Sequence, residues 1–125
     1  MSQVHTPQVT VVNVGDVPNI DLPGGSWSRM LITRERVTGN VSALGFSTFK
    51  AGSATAQVAH QTEETAYVVS GRGELRLEDG AVPFAAGDAL CIPAGLWHAV
   101  ANASDADMTM VFGFPHPEYP PTERR

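Results

Sequence analysis

Two histidines and one glutamate carry the chemistry this sequence could perform. In an extended segment alternate residues face one side, so Val58, His60, Thr62, Glu64, Ala66 and Val68 line one face of a strand pair kept in register. His60 and Glu64 then point the same way. His98 follows Pro93, Gly95 and Trp97 in a turn that leads into another strand, where Val100 and Asn102 share its parity. Two imidazoles and a carboxylate projecting into a barrel make a facial set for one divalent metal. Spacing alone is weak evidence, because a single histidine on a strand is more often a hydrogen-bonded core or surface residue.

The elements that must position these side chains read as strands. Apolar residues recur every second position and rarely at helical spacing, which predicts strands near 9–14, 29–33, 44–48, 54–60, 65–70, 74–78, 82–85, 89–92, 97–102 and 108–114, with no helix. Asp79-Gly80 is the clearest hairpin signal, joining Leu75 and Leu77 to Val82 and Phe84. Pro83 cannot donate to a ladder, so its strand lies at an edge or has the missing donor facing away. Many short strands separated by glycine turns predict an all-β sandwich or small barrel. Residues 115–125 hold four prolines and are expected to run extended over the surface.

Composition sets bounds on function. The 125 residues suit one domain, and the single Cys91 can form no internal disulfide. With 8 Lys+Arg against 13 Asp+Glu the formal charge is −5, and no basic cluster exists beyond Arg124 and Arg125. That balance argues against nucleic acid as a partner. No apolar run approaches the ~20 residues of a membrane span, and the first ten residues lack the pattern of a signal peptide. No membrane partner and a cytoplasmic location are expected.

Two blocks resemble the cupin superfamily. Residues 87–102 match its second motif at Gly87, Pro93, Gly95, His98 and Asn102, and residues 58–71 match its first at His60, Glu64 and Gly71. Val58 stands where that motif usually has its first histidine. The resemblance implies a double-stranded β-helix, a jelly-roll barrel of six to eight strands, over 44–114. The N-terminal strands of 1–43 would pack on the barrel or be exchanged between barrels, and 115–125 would form the extended tail. It also implies a metal held by three histidines and a glutamate. With Val58 unable to coordinate, either His60, Glu64 and His98 hold one divalent ion or the metal has been lost. A carboxylate left in a barrel without a cation would be costly, which favours the first. Iron(II) is the favoured ion, with manganese, nickel or zinc as alternatives.

The function so implied is an iron(II) oxygenase acting on a small enolic, diketo or hydroxylated compound, because three protein ligands leave three octahedral positions. The alternatives are a non-oxidative isomerase, decarboxylase or cyclase using the metal as Lewis acid, or a small-molecule binding protein. Val58, Phe46, Thr48 and Phe112 are the expected pocket residues. Small cupins also imply a homodimer, here through the 9–14 strand and the outward side chains Tyr67, Val69 and Trp97.

Blander readings serve the remaining residues. Trp97 and Tyr67 are assigned to packing, and Phe46, Phe112 and Phe114 to the core. Gln57 and Thr62 flank His60 and could lend an oxygen. His5 and His116 are read as surface residues, Cys91 as a buried structural thiol, and Arg29, Arg34 and Arg36 as solvated charges, one of which could reach a carboxylate.

Overall fold

The computed structural model describes residues 6–125 and is built almost wholly of strands. Its largest sheet has six, in the order β1 (Ile20–Asp21), β2 (Trp27–Ile32), β3 (Ala43–Phe49), β10 (Met108–Phe114), β5 (Glu64–Ser70) and β8 (Ala89–Ile92). A three-stranded sheet runs β7 (Gly80–Ala85), β6 (Arg72–Leu77), β9 (Ala99–Ala101), and β4 (Val58–His60) pairs with β11 (Thr122–Arg124). The isolated bridges Ala54↔Ala101 and Val58↔His98 join these last two sheets into one face. The result is a jelly-roll barrel whose two faces enclose the core.

Alternation explains which side chains fill it. Along β10, Met108, Met110, Phe112 and Phe114 are buried while the residues between them are not, as period-two burial requires. They meet Val68 from β5, Leu75 from β6 and Phe84 from β7 in one cluster. Each fully buried side chain of this size contributes about 1.5–3 kcal/mol, and Met108 and Val68 are completely enclosed. At the β5–β6 corner Gly71 takes φ 78°, and a Cβ there would lie 2.5 Å from the Asp107 carbonyl oxygen. Only glycine fits both constraints. Asn102, wholly buried, donates to the carbonyls of Phe49 (2.9 Å) and Ala106 (2.8 Å) and accepts from Ser104. Its place in the motif is therefore structural: it latches the loop between β9 and β10 onto β3.

Pro83 lies on the edge strand β7, where its missing donor costs nothing. Several local expectations need correction. Residues 9–14 form no strand: Asn13 caps a single 3-10 turn at Val14–Asp16, and Val9 and Val11 are 93% and 88% exposed. A β-branched run makes a strand only when another edge receives it, and none within the described chain does. The 54–60 stretch is a strand only from Val58 onward. In the β6–β7 hairpin Leu75 faces Val82, but Leu77 pairs with Gly80, leaving Glu78 and Asp79 as the loop.

Along β3 the inward parity is not that of the expected pocket residues Phe46 and Thr48. Ala43, Gly45, Ser47 and Phe49 face inward, whereas Leu44 is exposed and Phe46 half-buried against Trp27. The inner face carries the small residues because the Phe112 ring occupies the space above Gly45. The tail departs from a surface course as well, since Pro120 is buried and Thr122–Arg124 pairs with β4. Among the described residues no helix is long and apolar enough to cross a membrane.

Candidate metal centre

His60 closes β4 and Glu64 opens β5, so a three-residue turn brings both inward from adjacent strand ends. His98 arrives just before β9, on the same face as β4, while Glu64 belongs to the six-stranded sheet. The His98 backbone exchanges two 2.9 Å hydrogen bonds with Val58, which sets its side chain beside that residue on the inner face. Both imidazoles are buried, at 5% and 3% exposure. Glu64 Oε1 lies 3.1 Å from His60 Nε2 and 3.7 Å from His98 Nε2. One ligand atom from each of the three residues falls within 4.8 Å of the others.

The hydrogen-bond network assigns both tautomers. The Thr122 hydroxyl donates to the Pro120 carbonyl at 2.8 Å, so its oxygen is left to accept from His60 Nδ1 at 2.7 Å. His98 Nδ1 lies 2.9 Å from the Leu96 carbonyl, which can only accept. Both rings thus carry their neutral-state proton on Nδ1 and turn a bare Nε2 lone pair toward Glu64. Two nitrogen lone pairs and a carboxylate converge with no donor among them. Only a cation reconciles them: extra protons on the rings, or a metal. For metal bonds of about 2.0–2.2 Å, neighbouring ligands stand about 3 Å apart, so the observed spacing fits a single ion.

Electrostatics agree with an ionised carboxylate. Burial pushes the Glu64 pKa up, but when the rings carry the extra protons, their Nε2–H hydrogen bonds and positive charge bring it below the usual value. For His98 burial works downward, and the Glu64 and Leu96 bonds outweigh it to give a raised pKa. Burial pushes Tyr119 up, and the Glu64 charge adds to this.

The ligands open into a cavity of about 270 Å³ whose walls include Phe49, Val58, Met110, Phe112 and Phe114. Of the four expected pocket residues, Val58 and Phe112 line it. Phe46 and Thr48 do not: Ser47 and Phe49 take their places, and Thr48 is buried between its ladder partners Trp27 and Thr109. Gln57 and Thr62 are not among the lining residues either.

Three functional candidates were hidden in the tail. The Tyr119 ring stands edge-on to His60 at 5.4 Å, Thr122 bonds His60, and Arg124 reaches the cavity rim. Their signal was the alternation of 122 and 124, which the preceding prolines obscured. Elsewhere Cys91 is exposed rather than buried, with its thiol 3.3 Å from Glu63 Oε1. Trp97 lies beneath the Arg125 guanidinium, Tyr67 is half-exposed, and His116 faces the Glu118 carbonyl. His5 lies outside the described residues.

A family model described as "Cupin domain" matches residues 45–114. No curated protein matches the chain. Among solved structures, the polyketide cyclase RemF from Streptomyces resistomycificus superposes with a TM-score of 0.79 at 22% identity, covering 94% of this chain and 85% of that one. An oxalate decarboxylase formate complex from Lactobacillus farciminis gives 0.77 at 18% identity, covering 88% of this chain but 34% of that one. A cupin-like protein from Thermotoga maritima gives 0.75 at 21% identity over 94% and 89%. At these identities the likeness is one of fold.

Proposed function

The chain belongs to the cupin domain family, and from that premise we propose that it is a metal-dependent enzyme, an iron(II) oxygenase acting on a small enolic, diketo or hydroxylated compound. The observation that carries the metal is the convergence of the His60 and His98 Nε2 atoms on the Glu64 carboxylate, an arrangement that calls for a cation and that a divalent ion satisfies with both rings neutral. An ion with three protein ligands retains positions for a chelating substrate and for dioxygen, whose activation iron(II) would supply.

The chain's own groups divide the remaining work. Thr122 and the Leu96 carbonyl hold the two rings in the ligating tautomer. Val58 places an apolar side chain where a fourth ligand would otherwise crowd the substrate. Phe49, Met110, Phe112 and Phe114 give a wall that excludes water from a reactive complex. Tyr119 keeps its phenolic proton at neutral pH and can donate it in a hydrogen bond at the rim.

Oxygen uptake tests the reading. Protein loaded anaerobically with iron(II) should consume oxygen with acetylacetone, catechol or a relative of either, and should not do so when loaded with zinc. A second reading draws support from the fold shared with a polyketide cyclase: the same centre as a Lewis acid, converting its substrate without oxygen. Binding of metal and ligand with no turnover of any kind would instead mark a binding protein. Failure to take up stoichiometric metal would sink the metal-centre reading.

A further inference from the structure

Arg124 stands directly across the β11–β4 pair from Val58, just as Thr122 stands across from His60. Opposed residues of an antiparallel pair project to the same face. The register that sets the Thr122 hydroxyl on His60 therefore also carries Arg124 to the cavity, which it lines. The next residue faces away: Arg125 lays its guanidinium 4.1 Å from the Trp97 ring centroid and pairs with Glu78. The Arg125 backbone N–H donates to the Gln57 carbonyl at 3.3 Å. Arg124 is thus pinned on both sides, by Thr122 before it and Arg125 after it.

Its charge is uncommitted. Arg34, Lys50, Arg76 and Arg125 each pair with a carboxylate, and Arg29 is held by Asn19, the Val14 carbonyl and the Trp27 ring. Arg124, like Arg36 and Arg72, makes no salt bridge among the described residues, and of these three only Arg124 lines the cavity. The acidic groups lining the same cavity are Glu64, taken up by the two histidines, and Asp21 on β1, which is exposed and outside salt-bridge distance of Arg124. A guanidinium in that position offers a planar pair of donors matched to a carboxylate. It does so across the β11–β4 pair from Val58, which carries no ligand atom and itself stands between Arg124 and His98.

The geometry points to a carboxylate-bearing substrate, its enolic or phenolic oxygens at the His60–Glu64–His98 centre and its carboxylate received by Arg124. This assignment rests on the metal-centre reading above. A cavity of about 270 Å³ limits such a molecule to one ring or a short chain.

The test compares two chelators that differ only in the carboxylate, catechol and 3,4-dihydroxybenzoate, titrated calorimetrically into zinc-loaded protein. The expected result is that 3,4-dihydroxybenzoate binds about tenfold or more tightly than catechol, the value of one charged hydrogen-bonded pair. Arg124→Gln should bring the two within threefold of each other while metal affinity stays unchanged. Equal binding of the two probes by wild type, no binding of either, or a preference that survives Arg124→Gln overturns the assignment. Should the variant also lose metal, β11 has shifted, and the wild-type preference is then followed between about 0.02 and 0.5 M salt. A preference that shrinks with salt supports charge recognition, and one indifferent to salt overturns it. Failure of wild type to bind zinc, seen before any probe is added, overturns the parent reading and this one with it.

Discussion

The Thr122 hydroxyl, 2.7 Å from His60 Nδ1, ties β11, the last of the described strands, to a ligand of the candidate metal site on its partner β4. Because that hydroxyl spends its proton on the Pro120 carbonyl, it can only accept from the ring. Thr122→Val keeps the shape and removes the acceptor. Metal affinity, measured by competition with a coloured chelator, should fall about 10- to 100-fold. Unchanged affinity would show that His60 keeps its ligating tautomer without the tail.

His98→Ala removes a ligand outright and should leave no measurable stoichiometric metal, since two remaining groups seldom hold a divalent ion. Elemental analysis of the dialysed variant decides this. Full occupancy would place the metal elsewhere.

Val58→His tests the open side of the centre. Val58 shares two backbone hydrogen bonds with His98 and lines the cavity, so an imidazole grown from it faces the other ligands. The variant should bind metal more tightly and catechol more weakly, because a fourth ligand takes a position the chelator needs. Unaltered affinity for both would mean that position 58 cannot reach the ion.

Much of this arrangement was legible in the residues. Alternation located β8 and β10 to the residue, because a strand's side chains must alternate whatever the fold, whereas the grouping of His60, Glu64 and His98 was legible through the resemblance of 58–71 and 87–102 to the two cupin motifs. The inner face of β3 was not legible. Gly45 and Ser47 look like turn or surface residues, and only the Phe112 ring packed over Gly45 explains why the small residues face inward. The tail was unreadable for a similar reason. Pro120 and Pro121 mask a three-residue strand whose partner, β4, lies about sixty positions away.

Gly45→Ala follows from that packing. A Cβ at this position would lie 2.6–2.7 Å from two Phe112 ring carbons, so the ring must move into the cavity it helps to wall. Overpacking of this kind costs about 1–3 kcal/mol, read as a lower denaturation midpoint, and the smaller cavity should weaken catechol binding. A variant of wild-type stability would show that Phe112 yields freely.

Cys91 offers a pH-dependent readout away from the metal. Its thiol donates to Glu63, whose carboxylate bond and charge push the thiol pKa up. A raised pKa means less thiolate at mildly alkaline pH, and thiolate is the reactive form. Glu63→Gln should therefore react several-fold faster with a thiol reagent near pH 8, the gap closing as pH rises through the thiol range. Equal rates would show that Glu63 does not govern the thiol.

The outer face of β5 bears on assembly. Tyr67 and Val69 share one parity and are about half-exposed, and exposed Leu44 lies on β3 across the intervening β10. Contiguous apolar exposure of this sort commonly marks a protein contact, and a twofold pairing buries the same patch on both copies. The expected homodimer would thus use this face, and the 9–14 segment, unpaired in the single chain, is left available for exchange between copies. Sedimentation at micromolar concentration should give twice the chain mass, and Tyr67→Glu with Val69→Glu should return it to one. A wild-type monomer would refute the dimer. A dimer that survives the double substitution but not deletion of residues 1–14 would move the contact back to the N-terminal segment.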